Sequence, residues 1–559
     1  MNIQVLQGIN NQREKTLIKI TTDSTPITSV IDEVKALHPI FLEDYSVEGN
    51  TITIVSELPH FWKEAALGLN NHAKGEWSQE LTSQYIFEKV LFEEIGTMSG
   101  ITLVEAAIKM KLELTQYYIE QGFANEYDGV KFNRYYVYGA GKESEVFNGI
   151  ASAQDSYLGF QTQRDKTLTN TILDRLKIPT AKWEIIPSRE ALEEIFNRYQ
   201  KPVVMKPVGF TSGNGVVTKI DTLEKAYKAY DFAKNMIDSK ATLHKYQNKI
   251  IIQEQVTGED YRLMVIGGEL MVATKRIPAF VVGDGTKTIK ELVEEINKDP
   301  RRDIKRRTHT LKPIEFDEQF HTFLEEQGLT ENSVPKKDEK IFVRKVASMS
   351  KGGITEDFTD KVHPQIKYIA ESVAKSFRSY GLGVDLICQD ISKPLTKDNG
   401  SIIECNTKPE MYLNVYPVIG KQYPEIGERV LNKVLAQYGR TKRIVSIGLD
   451  LPSLQTYLTQ KIAKTENDYT GIYNEGHLYI NNELINENVE TWRALEALKV
   501  NKLLSTIVVS YPNIQEYLDN GSGFSQIDLL LLGSTVDEKV SQTLEGYRNL
   551  GYITEIVKV

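Results

Sequence analysis

Between Lys201 and Lys219 the chain reads KPVVMKPVGFTSGNGVVTK. Val203 and Val204 lead through Met205 into Lys206, a small polar loop follows with Gly209, Thr211, Ser212, Gly213, Asn214 and Gly215, and a second apolar run begins at Val216 and Val217. β-branched runs on either side of a glycine-rich segment predict a strand, a flap and a returning strand. Glycines let backbone N–H groups close on an anion with no Cβ in the way, and a lysine ending the first strand adds a point charge for the same phosphates. An ordinary hairpin is the other reading of these residues alone.

Outward from that stretch, 559 residues exceed what one hydrophobic core holds and predict several domains. A hydrophobic fraction of 41%, 26% charged residues and a net charge of -9 describe a globular chain without the concentrated positive face that general nucleic-acid binding requires. No apolar run reaches the roughly 18 residues of a membrane span, and the N-terminus MNIQVLQGINNQREK has no leader pattern, so a cytoplasmic protein with no membrane partner is expected. Cys388 and Cys405 lack metal-ligand spacing and read as buried small hydrophobes.

Residues 1–160 read as an α+β accessory or substrate-holding domain: strand-like alternation at 15–23 and 50–58, helical periodicity through Phe87, Val90, Leu91 and Ile95, more helix from Leu103 to Gly122, and a strand within 130–141. After a helix with Leu168, Ile172, Leu173 and Leu176 on one stripe and Lys166 at its start, strands and helices alternate. Ile250–Val256 reads as a strand, and Leu263–Ala279 as a hairpin with Gly267 and Gly268 at its tip. Residues 286–346 form a charged, helical insertion whose run RRDIKRRTH (301–309) is expected on a solvated helix face, with attraction of an acidic substrate as the alternative. A Ser- and Gly-rich loop follows, able to close over phosphates. Two short strands, 382–392 and 401–409, then carry Asp385, Glu404 and Asn406. Glu404 and Asn406 are two apart and face one side, so a paired strand would gather three oxygen donors suited to Mg²⁺. A plain exposed polar face is the alternative.

Taken in order, these segments resemble the ATP-grasp superfamily of carboxylate-amine ligases from Gln163 to Gln437. DKTLTNTILDRLKIPTAKW is similar to the entry helix, KPVVMKPVGFTSGNGV to the phosphate strand and flap, IIIQEQVTGEDYRLMVIGG to the adenine hinge and the arginine strand, and VDLICQD and IIECNTKP to the two metal strands. Within the superfamily the segments EDYRLMVIGGELMVATKRIPAFVVGDG, TIKELVEEINKDPRR, SMSKGG and DFTDKVHPQ resemble cyanophycin synthetases and, next, the glutathione synthetase half of bifunctional glutathione enzymes.

The resemblance implies ATP and Mg²⁺. It implies nucleotide contacts from Lys166, Lys206, Ser212, Gly213, Asn214, Gly215, Glu254, Gln255 and Val256, metal ligation by Asp385, Glu404 and Asn406, and catalytic roles for Lys206, Arg262 and Arg276. An amide is then made through an acyl phosphate from an amino acid, dipeptide or peptide, with polymerisation of β-aspartyl-arginine dipeptides as one form. A ligase making one small product and a non-catalytic pseudo-synthetase are the alternatives. A homo-oligomer, dimer or tetramer, is expected.

Two departures put charge near the acceptor side: Lys351 within Ser350-Lys351-Gly352-Gly353, and Thr407, Lys408, Pro409 and Glu410 after the metal asparagine. Residues 441–559 resemble a shortened, degenerate Mur-ligase-like α/β module. They keep the strand Ile444–Ile447 but read Gly448, Leu449, Asp450, Leu451, Pro452 where a phosphate loop would need a lysine and a hydroxyl. The expected organisation is therefore α+β and α/β multidomain: an accessory domain (1–160), an ATP-grasp domain (161–440) and the degenerate module (441–559).

Overall fold

In a computed structural model, the structure describes residues 2–10, 13–21, 44–56, 98–110, 112–116, 135–157, 159, 165–208, 210, 215–239, 248–302, 310–407, 409–436, 440–462, 465–489, 491–514, 516–517, 524, 526–549 and 553–559. The helix expected through Phe87 to Ile95 lies outside them, as do Ser212, Gly213 and Asn214. The chain divides into two compact units, Met1–Gly149 with Arg306–Thr308 and Glu425–Val559, and Ile150–Lys305 with His309–Pro424.

The first unit opens on an antiparallel sheet of β1 (Asn2–Asn10), β2 (Arg13–Thr21), β3 (Asp44–Glu48) and β4 (Thr51–Ser56), in the order β1-β2-β4-β3. Helix α1 (Met98–Lys109) stops short of the long helix expected from Leu103 onward. Leu112 N–H still bonds back to Ala107, but Leu114–Gln116 then becomes strand β5, paired antiparallel with β6 (Tyr135–Tyr138), which pairs with β7 (Glu145–Asn148). Cross-strand pairing overrides the local helical pattern there.

The second unit begins with a two-residue strand β8 (Ala151–Ser152) and helix α2 (Lys166–Arg175). Asp165 caps α2, its carboxylate accepting from the N–H groups of Thr167 and Leu168. The expected apolar stripe is buried only in part: Leu173 lies in the core with Ile172 packed against it, Leu168 and Leu176 are exposed, and Thr167, Thr169 and Asn170 share the buried face. β9 (Trp183–Ile186), α3 (Leu192–Asn197), β10 (Val203–Pro207), β11 (Val217–Ile220), α4 (Leu223–Asp238) and β12 (Ile250–Glu254) follow. Their four strands form an antiparallel sheet, β11-β10-β12-β9, covered by α3 and α4 over a core that includes Phe196, Met205, Ala233 and Ile252.

A second sheet of this unit, β17-β14-β13-β18-β19, is also antiparallel. It comprises β13 (Glu259–Ile266), β14 (Glu269–Ile277), β17 (Ile354–Asp357), β18 (Gly381–Cys388) and β19 (Gly400–Thr407). Gly267 and Gly268, both at positive φ, make the β13–β14 turn as the sequence predicts. Between β14 and β17 lie β15 (Phe280–Val282), α5 (Ile289–Ile296), α6 (Glu318–Glu325) and β16 (Lys340–Phe342). Among the described residues, which leave out 303–309 of the charged run, the insertion is less helical than expected: two α-helices of 8 residues and a two-stranded sheet gather around Val281, Ile289, Val293, Phe320, Leu324 and Val343. α7 (Pro364–Phe377) packs on the five-stranded sheet, and α8 (Tyr412–Val415) ends the unit. Cys388 and Cys405 are free and buried in this core, as expected.

The first unit resumes with α9 (Ile426–Leu435), which packs on α1: a Cβ at Gly427 would stand 2.3 Å from the Thr102 carbonyl oxygen. β20 (Lys442–Ile447), α10 (Leu451–Lys461), β21 (Tyr469–Asn474), β22 (His477–Ile480), β23 (Glu483–Asn486), α11 (Thr491–Val500), β24 (Leu504–Tyr511), β25 (Ile527–Leu532), α12 (Glu538–Asn549) and β26 (Ile553–Lys558) complete it. The sheet order is β23-β22-β21-β24-β20-β25-β26, parallel from β21 to β26, with β20 in the middle. Among the described residues no helix is long and apolar enough to cross a membrane.

Candidate active site

The polar residues singled out in the sequence meet on β10, β13, β14, β18 and β19. Lys206 is the fourth residue of β10 and 8% exposed, while Lys166 opens α2. Lys166 donates to the Phe210 and Val208 carbonyls at the start of the flap and pairs with Glu404 at 3.6 Å. Lys206 donates to the Ile403 carbonyl on β19 at 3.4 Å. Burial lowers the Lys206 pKa to about 8, against the pull of Glu404 and reinforced by Lys166. The two lysines and Glu404 thus form one electrostatic group.

The neighbouring group is centred on Asp385, 3% exposed on β18. Its register partner on β13 is Arg262 and on β19 is Glu404. Arg262 grips it with Nε at 2.5 Å and Nη2 at 3.2 Å, Arg276 reaches it through Nη2 at 3.1 Å, and Asn406 donates Nδ2 at 3.1 Å. Arg276 also holds Asp260 through Nε and Nη2 at 2.9 and 2.6 Å. Burial works against the Arg276 charge, yet Asp385 and Asp260 together hold its pKa above the usual value. Two guanidinium groups are therefore desolvated and fixed by carboxylates rather than free in solvent.

Asp385, Glu404 and Asn406 come together as the sequence predicts, two carboxylates and an amide on adjacent antiparallel strands. Hard oxygen donors of this kind suit Mg²⁺. Among the described residues no three His, Cys, Asp or Glu side chains gather into a metal-binding group, and both Asp385 oxygens already accept from Arg262, Arg276 and Asn406, so a cation here would have to share Asp385 with them.

Around the lysines, Gly215 closes the flap at φ +76, and a Cβ there would lie 2.7 Å from Pro207 Cγ. Only glycine meets both demands. In the segment after β12, Glu254 and Gln255 spend their N–H groups on the Lys182 and Pro202 carbonyls, and the Gln255 side chain accepts from Lys219 N–H at 2.6 Å. Val256, half-buried, has no hydrogen-bonding partner for its backbone among the described residues. Of the charged departures of the sequence, Lys351 and Glu410 are absorbed locally, and Lys408 lies outside the described residues. Lys351 pairs with Glu315 and Asp317, each at 3.1 Å, and Glu410 accepts from the N–H groups of Tyr412 and Leu413. Burial pushes the Glu410 carboxyl up to about 7 against those bonds.

The sequence reading missed Asp260, which stands two residues before Arg262 and could have been found from that strand spacing. It also misplaced Arg302. Expected on a solvated helix face, it is 5% exposed and bonded to the Lys312 and Gly352 carbonyls, because the chain there turns inward as a single 3₁₀ turn, Pro300–Arg302.

Residues 164–280 match the family described as phosphoribosylglycinamide synthetase, ATP-grasp (A) domain. Over these residues the chain is similar to an ATP-grasp domain. Among curated proteins it is similar to a cyanophycin synthetase of Synechocystis sp., 35% identical over 283 residues that make up 50% of this chain and 31% of that one. It is also similar to the glutathione biosynthesis bifunctional protein GshAB of Clostridium perfringens, 32% identical over 347 residues, 62% of this chain and 42% of that one. A solved bifunctional glutathione synthetase from Pasteurella multocida aligns at TM-score 0.47 and 25% identity, covering 66% of this chain and 49% of that one. The chain thus spans well under half the length of these two curated relatives.

Proposed function

We propose that the second unit is an ATP-dependent carboxylate–amine ligase acting on amino acids, dipeptides or a peptide, of the cyanophycin synthetase kind. The observation that carries the reading is the meeting of Lys166, Lys206 and Glu404 with an Asp385 held between two arginines. Val256 offers the unengaged backbone that an adenine edge would use, and Lys166 and Lys206 would hold the phosphates, with the flap from Gly209 to Gly215 shutting out water.

In that reaction a substrate carboxylate oxygen attacks the γ-phosphorus, the bond to the β-phosphate oxygen breaks, and ADP leaves an acyl phosphate. An amine nitrogen then attacks the acyl carbon, phosphate departs with the bonding pair, and the nitrogen loses a proton to give the amide. Arg262 and Arg276 are pre-positioned and desolvated, so they can stabilise the negative charge that develops without reorganising at that moment. Mg²⁺, held by Asp385, Glu404 and Asn406, would neutralise phosphate charge.

A second reading, a ligase with one small product, is favoured by the similarity to the bifunctional glutathione protein. One experiment separates the two. Phosphate release is followed with ATP and Mg²⁺ across amino acids and β-linked dipeptides, and the product is weighed by mass spectrometry. A ladder of masses supports polymerisation and one mass the second reading; no amino-acid- or peptide-dependent phosphate release sinks both. The same reading carries a homo-oligomer in the cytoplasm, which sedimentation and fractionation test.

A further inference from the structure

The insertion borders a cavity of about 640 Å³, and none of its lining residues belongs to the cluster on β13, β18 and β19. Its wall is largely apolar, with Ala279, Leu311, Ile314 and Val418 among the lining residues, and Arg302 lines it as well. Arg302 is 5% exposed. Its Nη1 donates to the carbonyls of Lys312 and Gly352, while its Nε and Nη2 find no acceptor among the described residues. Among the described residues no carboxylate stands within ion-pair distance of it: the nearby Asp299 is gripped by Arg301, through Nε at 3.1 Å and Nη2 at 2.7 Å. Burial accordingly lowers the Arg302 pKa, opposed by Asp299 and reinforced by Arg301.

A buried guanidinium without a close counter-ion is costly, and among the described residues none forms an ion pair with Arg302, Asp299 acting on it only from a distance. The unsatisfied edge, Nε with Nη2, is the side of a guanidinium that meets a carboxylate through two parallel hydrogen bonds. Glu295 and Asp299 line the cavity together with Lys298, Arg301 and Arg302, so its charged lining carries an excess of one positive charge, which matches a monoanion, while the apolar wall suits the stem of a small organic acid.

We propose that this cavity is a binding site for the carboxylate of an amino acid or peptide, anchored on the Nε–Nη2 edge of Arg302. The site requires no nucleotide, and it stands whether or not the ligase reading holds.

Calorimetric titration of the full chain without ATP tests it, using N-acetyl-leucine, N-acetyl-aspartate and N-acetyl-arginine, the amide of each, and inorganic phosphate. At least one free acid is expected to bind, with its amide and phosphate about tenfold weaker or worse, as loss of a charge-assisted pair requires. Arg302→Gln removes the charge. Val418→Trp instead fills the cavity and leaves Arg302 in place, so it decides the matter if the first variant fails to fold. Both are expected to abolish binding of the acid. Absence of binding by all three acids, equal binding of acid and amide, preference for phosphate, or undiminished binding in folded Val418→Trp would each overturn the proposal.

Discussion

Two places in this chain put a glycine segment after a buried strand, and they have opposite fates. In β10, Lys206 stands beside Lys166 and Glu404 one residue before the strand ends, and the glycine-rich segment from Gly209 follows it in sequence. After β20, Gly448 turns at φ +76 with its N–H on the Tyr511 carbonyl, and Gly533 packs so tightly on it that a Cβ would lie 2.0 Å from the Gly448 oxygen. Asp450 then caps α10 with its own carboxylate, accepting from Ser453 N–H at 2.7 Å. The helix N-terminus, the place where a phosphate would dock, is filled by a side chain of the same sign as a phosphate. A glycine turn after a strand is thus no phosphate site by itself; what surrounds it decides.

The sharpest way to break this contrast is Lys206→Ala, expected to lower ATP-to-ADP turnover at least about 100-fold, or about 2.7 kcal/mol of transition-state stabilisation. Unchanged ADP release would remove Lys206 from the phosphate group. On the other side, Gly533→Ala should destabilise the first unit by about 2 kcal/mol, since the new methyl group meets backbone rather than a flexible side chain. A denaturant midpoint equal to that of the parent would mean the turn is not sealed. Asp450→Ala should cost about 1 kcal/mol of stability by the same measurement and leave ADP release alone; a loss of turnover would tie this turn to the chemistry.

The smallest effect concerns pH. A Lys206 pKa near 8 means the amine is half charged at pH 8 before any phosphate binds. An anion favours the charged form, so binding should draw in up to about half a proton at that pH, worth about 0.4 kcal/mol of affinity, and affinity should fall as the pH rises further. Titrations in buffers of different ionisation enthalpy measure the uptake. Lys206→Arg should abolish it, and an uptake that persists in that variant assigns the proton to another group.

Much of this was legible in the sequence because it is local. The β13–β14 turn follows from Gly267-Gly268, and the juxtaposition of Asp385 with Glu404 and Asn406 from two short strands. What escaped depends on pairs distant in sequence. Asp385 and Arg262 are 123 residues apart and meet only through the β13–β18 register, so the sequence reading left Asp385 as a free ligand. The polar buried face of α2 and the inward turn of Arg302 were hidden for the same reason: each is set by what packs against it rather than by its own period.

The Ser350–Gly353 loop carries one more consequence. Arg302 ties the Gly352 carbonyl to that of Lys312, Lys351 is anchored on Glu315 and Asp317, and Gly352 sits so close to Ile314 that a Cβ would lie 2.6 Å from its Cγ1. Every one of these ties runs into the insertion. The loop and the 311–317 segment therefore belong to one cooperative unit of local unfolding, and their backbone amides should exchange with deuterium together, slowing or quickening as a set when either half is disturbed.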